Sequence, residues 1–183
     1  MGSRVLVVPA VQVKVTLEQI APPIWRRLVV PGDWDLGQLH KALQIAFAWA
    51  DSHLHAFEVG DDTFGDDESG EDEVEPERDV RVREVLDAPG KELTYEYDFG
   101  DSWRHRVVME EQLEPTKTAR CLAGERSAPP EDSGGSFGYL HSLEVLADPT
   151  HPEYDEVHDW FGADWDPEAV DLERINRALA RLR

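Results

Sequence analysis

The chain has 183 residues, 39 of them acidic and 18 basic, for a net charge of −21. A field of that sign opposes the phosphate backbone of duplex nucleic acid, whose binding draws on Lys and Arg to release counterions. No apolar run reaches the roughly 18 residues that a membrane span needs. The stretch Met1–Gln12 lacks the positive start and long apolar centre of a secretory signal, so the sequence predicts a cytoplasmic chain without membrane attachment.

The single cysteine, Cys121, excludes an intramolecular disulfide and fits a reducing compartment. Its ordinary role would be that of a small buried hydrophobe. A chain of this length can bury roughly 70% of its extended surface in one core. The expectation is one domain over 1–183, with a sheet-rich part (10–113) and a mainly helical part (114–183).

In Val11–Leu17 apolar and polar residues alternate, the pattern of a half-buried strand. Pro22-Pro23 turns the chain, because proline donates no ladder bond and restrains its predecessor. Ile24–Val30 then returns as the second strand of a hairpin, closed by Pro31-Gly32. Asp35, with Gln38 three residues on, reads as a capping box. Behind it Leu36, Leu39, Leu43, Ala46 and Phe47 recur at helical spacing, with His40 beside that stripe. His53–Val59 follows as a strand carrying His53, His55, Phe57 and Val59 on one face. Hairpin, helix and strand in this order suggest a β-grasp-like start to an α+β fold with a mixed or antiparallel β-roll.

Residues 58–79 hold twelve acids and one base, and 60–79 is poor in large apolar residues, so a mobile acidic loop is expected there. A calcium loop beginning at Asp67 fails, since its sixth position, which must be glycine, is Asp72. Val80–Leu86 suggests a short strand and one helical turn.

The densest chemistry lies in Tyr95–His105, which reads as a hairpin. Tyr95, Tyr97 and Phe99 fall on one face of its first strand, and Trp103, His105, Val107 and Met109 on one face of its second. Gly100-Asp101-Ser102 form the turn between them. Glu114–Pro130 looks irregular. Helices are expected near 137–147 and 153–161, and a last one starting from Asp166-Pro167-Glu168. Its buried stripe is Leu172, Ile175, Leu179 and Leu182, and the C-terminal helices are expected to pack on the sheet.

Three groups of residues carry possible chemistry. Asp98, Asp101, His105, His53 and His40 together offer carboxylates and imidazoles for a divalent metal or for acid–base work, and His53-x-His55 has a metal-ligand spacing. The catalytic candidates are Asp98, Asp101 and His105; the metal candidates are His53, His55, Asp101, His105 and Cys121. The competing structural reading makes His53 and His105 core histidines donating to carbonyls, and Asp98 and Asp101 partners of turn amides. In Pro129–Gly135, acids followed by glycines either face a ligand or, with Asp132 or Ser133, cap the next helix. Trp25-Arg26-Arg27 and Trp103–Arg106 interleave aromatic and basic residues as nucleic-acid readers do. Their structural alternative is tryptophan core anchors with arginines paired to local acids. No serine has the G-x-S-x-G context of a hydrolase.

Several stretches together resemble one known family. They are Pro22–Arg27, Leu39-His40, Trp49 with His53-Leu54, Tyr97–His105, Cys121–Gly124, Pro129–Gly135, Gly138-Tyr139, Asp166–Glu168 and Ile175-Asn176. In this order they are similar to the Ri-plasmid ORF-3-like family, whose members are also labelled insertion-element passenger proteins, TnpR-like. The resemblance covers roughly residues 10–183 and implies a compact α+β domain, no particular reaction, and association with plasmids or mobile elements. No serine-recombinase pattern accompanies it. The resemblance implies a second cysteine in many relatives just before Pro-Pro-Glu-Asp, where this chain has Ala128, so a family zinc site using Cys121 would lose a thiolate here.

Two functions follow as expectations. One is an accessory or interaction protein working through protein partners. The alternative is a metal-dependent or acid–base enzyme centred on Asp98, Asp101, His105 and His53, with a divalent metal as its cofactor.

Overall fold

A computed structural model describes residues 8–66 and 74–182. The calcium-loop position starting at Asp67 and the centre of the acidic segment lie outside the described residues.

The first hairpin pairs β1 (Ala10–Leu17) with β2 (Ile24–Pro31) residue for residue, from Ala10 opposite Pro31 to Leu17 opposite Ile24. The helix α1 (Leu36–Phe47) begins at the expected capping box, with Asp35 accepting from the Gln38 amide and Gln38 returning to the Asp35 amide. The short strands β3 (His55–Val59), β4 (Asp62–Gly65) and β5 (Glu75–Pro76) come next, then a 3₁₀ turn (Glu77–Asp79) and one helical turn, α2 (Val82–Val85). The hairpin of β6 (Glu92–Tyr97) and β7 (Trp103–Leu113) follows, then β8 (Arg120–Glu125). Helices α3 (Gly135–Leu146), α4 (Tyr154–Phe161) and α5 (Leu172–Leu179) complete the chain.

Among the described residues eight strands form one sheet in the order β5-β4-β3-β6-β7-β1-β2-β8, antiparallel except for the β4–β5 pair. This is the mixed α+β arrangement, with the C-terminal helices against the sheet. One buried apolar cluster runs from Val11 to Leu179 and joins the inward residues of β1, β2, β6 and β7 to the stripe of α1. The opposite face of the sheet is half-exposed and laced with ion pairs. Arg27 meets Glu110 at 2.6 Å, Arg104 meets Glu58 and Glu96 at 2.7 Å each, and Arg106 meets Glu92. The arginines of the two basic-aromatic stretches on this face are thus paired with acids, as the structural alternative expects. Among the described residues no helix is long and apolar enough to cross a membrane.

Four sequence expectations are corrected. The region expected to be irregular from Glu114 contains β8, whose alternation is hidden by Ala123 and Gly124. The acidic segment holds β4 and β5 in its described parts, because Phe64 reaches the core and anchors the strand. Phe99 leaves the aromatic face: the chain turns at Asp98, which takes a left-handed φ of 56°, and Phe99 is 48% exposed. The last helix starts at Leu172, capped by Asp171, whose side chain accepts from the Arg174 amide. Asp166 instead accepts from Glu168 in a preceding turn.

The outer edge of β8 would present unpaired backbone groups, which sheet proteins must cover. Here the Asn176 side chain on α5 acts as a one-residue strand. Its Oδ1 accepts from the Cys121 amide at 2.8 Å, and its Nδ2 donates to the Cys121 carbonyl at 2.9 Å. Replacing Asn176 by Ala removes both bonds and should lower unfolding free energy by roughly 1–3 kcal/mol. Hydrogen exchange at the Cys121 amide should accelerate with it. Denaturant titration checks this, and a loss under about 0.5 kcal/mol, within the range of a neutral surface change, would contradict the edge-covering role.

Candidate metal centre at the end of the sheet

Three loops meet where α1, β6 and β8 end and β3 and β7 begin. The first is the 48–54 segment after α1. Ala48 ends the helix with φ 58°, the Trp49 amide bonds back to Gln44, and Asp51 also takes a left-handed φ of 56°. The second is the β6–β7 turn. Asp98 Oδ1 accepts from the Gly100 and Asp101 amides, and the Asp98 amide donates to the Leu54 carbonyl at 2.9 Å. The third is the 129–135 loop, drawn in by Asp101 Oδ2, which accepts from the Gly134 amide at 3.1 Å. Gly135 permits that closeness, since a Cβ there would lie 2.7 Å from the Asp101 carbonyl oxygen at a φ of 67°.

These loops bring three carboxylates to one imidazole nitrogen. His53 Nε2 lies 3.1 Å from Asp132 Oδ1, 3.6 Å from Asp98 Oδ2 and 3.8 Å from Glu131 Oε2. The nitrogen is buried yet makes no hydrogen bond, so even the nearest oxygen approaches it out of line. Glu131 is held in place by the Ala50 amide at 2.8 Å and by the Tyr97 hydroxyl, which donates to it at 3.0 Å and accepts from the Ser52 amide. Burial first, and the neighbouring Glu131 carboxylate with it, raises the Tyr97 pKa, so the phenol stays a donor. Asp98 and Asp132 both hold φ values of 56°, a concentration of unfavourable backbone that a packed functional site can sustain. Ligand atoms on a shared cation with bonds of about 2.1–2.2 Å stand roughly 3–3.6 Å apart. His53, Asp98 and Asp132 offer that kind of set.

A second group, His40, Asp51 and His55, also has donor atoms close enough to share a cation. Its bonding is more complete. His40 Nε2 meets Asp51 at 2.8 Å, and His40 Nδ1 meets the Tyr95 hydroxyl at 2.8 Å, which in turn accepts from Gln44 Nε2 at 2.9 Å. All of these bonds are satisfied by a neutral His40 protonated on Nε2, with Tyr95 donating to Nδ1. Burial, reinforced by the adjacent His55, lowers the His40 pKa and keeps it neutral. His55 Nε2 meets Glu77 at 2.7 Å, and the two imidazoles stack with centroids 3.5 Å apart and planes 7° from parallel. Stacked rings aim their in-plane nitrogens alongside each other rather than at a common point.

The structure separates the other candidates. His53 precedes β3 instead of sharing its face with His55, because the chain is still turning at Asp51, and the two join different groups. Asp101 braces the 129–135 loop. His105 is fully buried among Phe47, Trp49 and Tyr95, with its Nδ1 3.2 Å from the Tyr95 carbonyl. The Cys121 thiol donates to the Ala123 carbonyl at 3.4 Å, and burial raises its pKa. Among the described residues it joins no cluster of metal-ligating side chains. Asp132 and Ser133 do not cap α3: its N-cap is Gly134, Ser133 bonds the Pro130 carbonyl, and Asp132 turns to His53. Glu131, Asp132, Asp51 and Glu77 were not singled out as ligands in the sequence, although the acidic pair after Pro129-Pro130 was the signal for two of them.

Residues 9–174 match the family model described as Plasmid pRiA4b ORF-3-like protein. The chain belongs to this family. It is 37% identical over 182 residues to the "Uncharacterized protein y4hQ" of Sinorhizobium fredii (strain NBRC 101917 / NGR234), covering 97% of this chain and 94% of the relative. It also shares 37% identity and a TM-score of 0.83 with the crystal structure of the "Protein of Unknown Function MM3350" from Methanosarcina mazei Go1, covering 91% of this chain and 97% of that one. The family stretches gather at one place: His53, Tyr97–Asp101 and Pro129–Gly135 all build the end of the sheet just described.

Burial lowers the His105 pKa to about 4, against an ordinary value of 6.5. As pH falls, the unfolded chain therefore takes up this proton before the folded one, and stability is lost from about pH 6.5 down to 4. His105 should account for about 3 kcal/mol of that loss, and above pH 7 it contributes none. In His105→Phe, the difference in urea midpoint between pH 7 and pH 4.5 should shrink relative to the parent. An unchanged difference would show that this imidazole is not kept neutral by burial.

Proposed function

We propose that this protein binds a divalent cation at His53, Asp98 and Asp132, with Glu131 as a further oxygen donor, and that the cation serves its function. The supporting observation is the His53 Nε2 itself, buried and without a hydrogen bond, with three carboxylates around it. Three like charges so close repel unless a positive charge sits among them. A donor set of one imidazole and several carboxylate oxygens suits manganese or zinc better than a thiolate-preferring metal. Asp132, with its side chain 61% exposed, leaves one side of the group open to solvent. A cation there would keep coordination positions for water or a substrate oxygen, which is the arrangement of metal-assisted hydrolysis. In that enzymatic reading Asp98 and His53 are ligands, Asp101 positions the loop, and His105 supports the hairpin from within the core.

The second reading is an accessory protein of mobile elements acting through protein partners. Its support is the exposed apolar surface beside the site: Leu54 is 56% exposed and follows His53, and Phe99 is 48% exposed and follows Asp98. Phe137 on α3 and Trp160 on α4 are 86% and 58% exposed. The sheet arginines, already paired with carboxylates, give less support to a nucleic-acid partner.

Titration of metal-stripped protein with Mn²⁺ or Zn²⁺ should show one saturable site. At a free metal concentration of 100 Kd the protein should gain about 2.7 kcal/mol of stability. His53→Ala and Asp98→Asn should abolish both effects while keeping the circular dichroism of the parent; Asp98→Asn retains an oxygen for the turn amides. If neither ion binds stoichiometrically, or if both variants bind as the parent does, the metal reading fails and the interaction reading stands.

A further inference from the structure

On the inner face of β2, alternation places Ile24, Arg26, Leu28 and Val30 toward the helices, so a guanidinium occupies a core position. Arg26 is 3% exposed. Its Nε donates to the Ala46 carbonyl at 2.9 Å, in the last turn of α1, and its Nη1 to the Trp25 and Glu125 carbonyls at 2.8 and 3.0 Å. The group lies 5.2 Å from the centroid of the Phe47 ring. Gly124 gives it room: a Cβ there would come within 2.8 Å of Arg26 Cδ. The charge is held by carbonyl dipoles and a helix C-terminus, and among the described residues it forms no ion pair with any carboxylate. Burial lowers its pKa to about 10. In a chain of net charge −21, a buried cation without an acid partner is conspicuous, because an unpaired buried charge is costly. Among the described residues Nη2 donates to no acceptor.

Arg26 lines a cleft of about 560 Å³ between the end of α1 and the segment 161–178. The walls are apolar and aromatic: Phe47, Trp49, Pro129, Pro130, Trp165 and Ile175. Asp164, Asp166 and Asp171 stand on the cleft with Arg174, and all four are exposed. Aspartates around an entrance repel a multiply charged anion and tolerate one whose single charge is carried inward to a guanidinium. Arg26, Trp49, Pro129-Pro130, Asp166 and Ile175 each belong to one of the stretches that carry the family resemblance, and the metal centre uses none of them as ligands.

We propose that this cleft is a binding site for a small monocarboxylate with an apolar or aromatic body, its carboxylate accepting hydrogen bonds from Nη2 of Arg26. The carboxylate supplies the missing counter-charge through a charge-assisted bond, and the body covers the Trp49, Pro129 and Trp165 walls, in the usual pattern of an apolar pocket with one orienting polar group. Nucleotides and other polyanions are excluded by the aspartates.

Phenylacetate and indole-3-acetate are suitable probes, with phenylacetamide as the neutral isostere and ATP as the polyanion. Isothermal titration, tryptophan fluorescence and the Arg26 Nε–H resonance should report saturable binding of the two acids. The amide should bind at least ten-fold more weakly, and ATP not at all. Ala178→Phe, which fills the cleft from α5 and leaves Arg26 in place, should abolish binding with the circular dichroism unchanged. Arg26→Met tests the charge directly where it folds, and the cleft-filling variant decides where it does not. No saturable binding of either acid, equal binding of the amide, or full binding by Ala178→Phe would each overturn the proposal.

Discussion

An antiparallel sheet packed against helices must sort its side chains by parity, and nearly every placement in this protein follows from that sorting. β1 sits between β2 and β7 and pairs with both along its length. Its register therefore fixes which residues of three adjacent strands point inward. A slip of one residue would turn Val11, Val13, Val15 and Leu17 out to solvent and bring Lys14 into the core. Burial of those apolar groups holds the register. The register in turn brings Tyr95, Tyr97, Trp103 and His105 inward and sends Arg104, Arg106, Glu92 and Glu96 outward as paired charges.

Strict sorting confines convergent polar chemistry to the places where parity breaks. At Asp51, Asp98, Ser102 and Asp132 the backbone takes left-handed conformations, and all four lie in the loops at one end of the sheet. There the chain is free of the strand pattern and can aim carboxylates at a common point. The cost is backbone strain on the order of 1–3 kcal/mol at each position. It is offset by the apolar core beneath and by the bonds between loops, from Asp98 to Leu54 and from Asp101 to Gly134. His40 and His55 show the other solution, in which imidazoles that remain on regular elements are each satisfied by a carboxylate and by one another.

The parts legible in the sequence are those governed by period and by capping. The β1–β2 hairpin, the capping box at Asp35, the stripe of α1 and the inward face of β7 all follow from local patterns that tertiary contacts reinforce. β8 was not legible, because Ala123 and Gly124 erase its alternation; Gly124 is small for the sake of Arg26, a residue about one hundred positions earlier in the chain. The N-terminus of α5 was misplaced because Asp166-Pro167 carries the same capping signal as Asp171. For the candidate site, His53 and Asp98 stood out as chemically specific residues. Their partners Glu131 and Asp132 resembled the start of a helix, since nothing local tells an acid that caps from one that crosses a loop to an imidazole. His105 shows the opposite case. A histidine between two arginines looks reactive in a sequence, and strand parity points it into the core, where it is fully buried.

The cleft and the candidate metal centre share a wall, and this gives the end of the sheet a physical unity. Trp49 stacks on Tyr97 with ring centroids 5.0 Å apart, and its indole donates to the Pro129 carbonyl at 2.9 Å. On one side Trp49 lines the cleft that contains Arg26; on the other the Tyr97 hydroxyl holds Glu131 against the His53 group. Pro129 and Pro130 line the cleft, and the next two residues are carboxylates of the candidate metal centre. The fixed φ of each proline leaves this short segment few ways to yield. A shift of the cleft wall would therefore move Glu131 and Asp132 with it. Packing at Trp49 thus ties the geometry of the cleft wall to that of the His53 group.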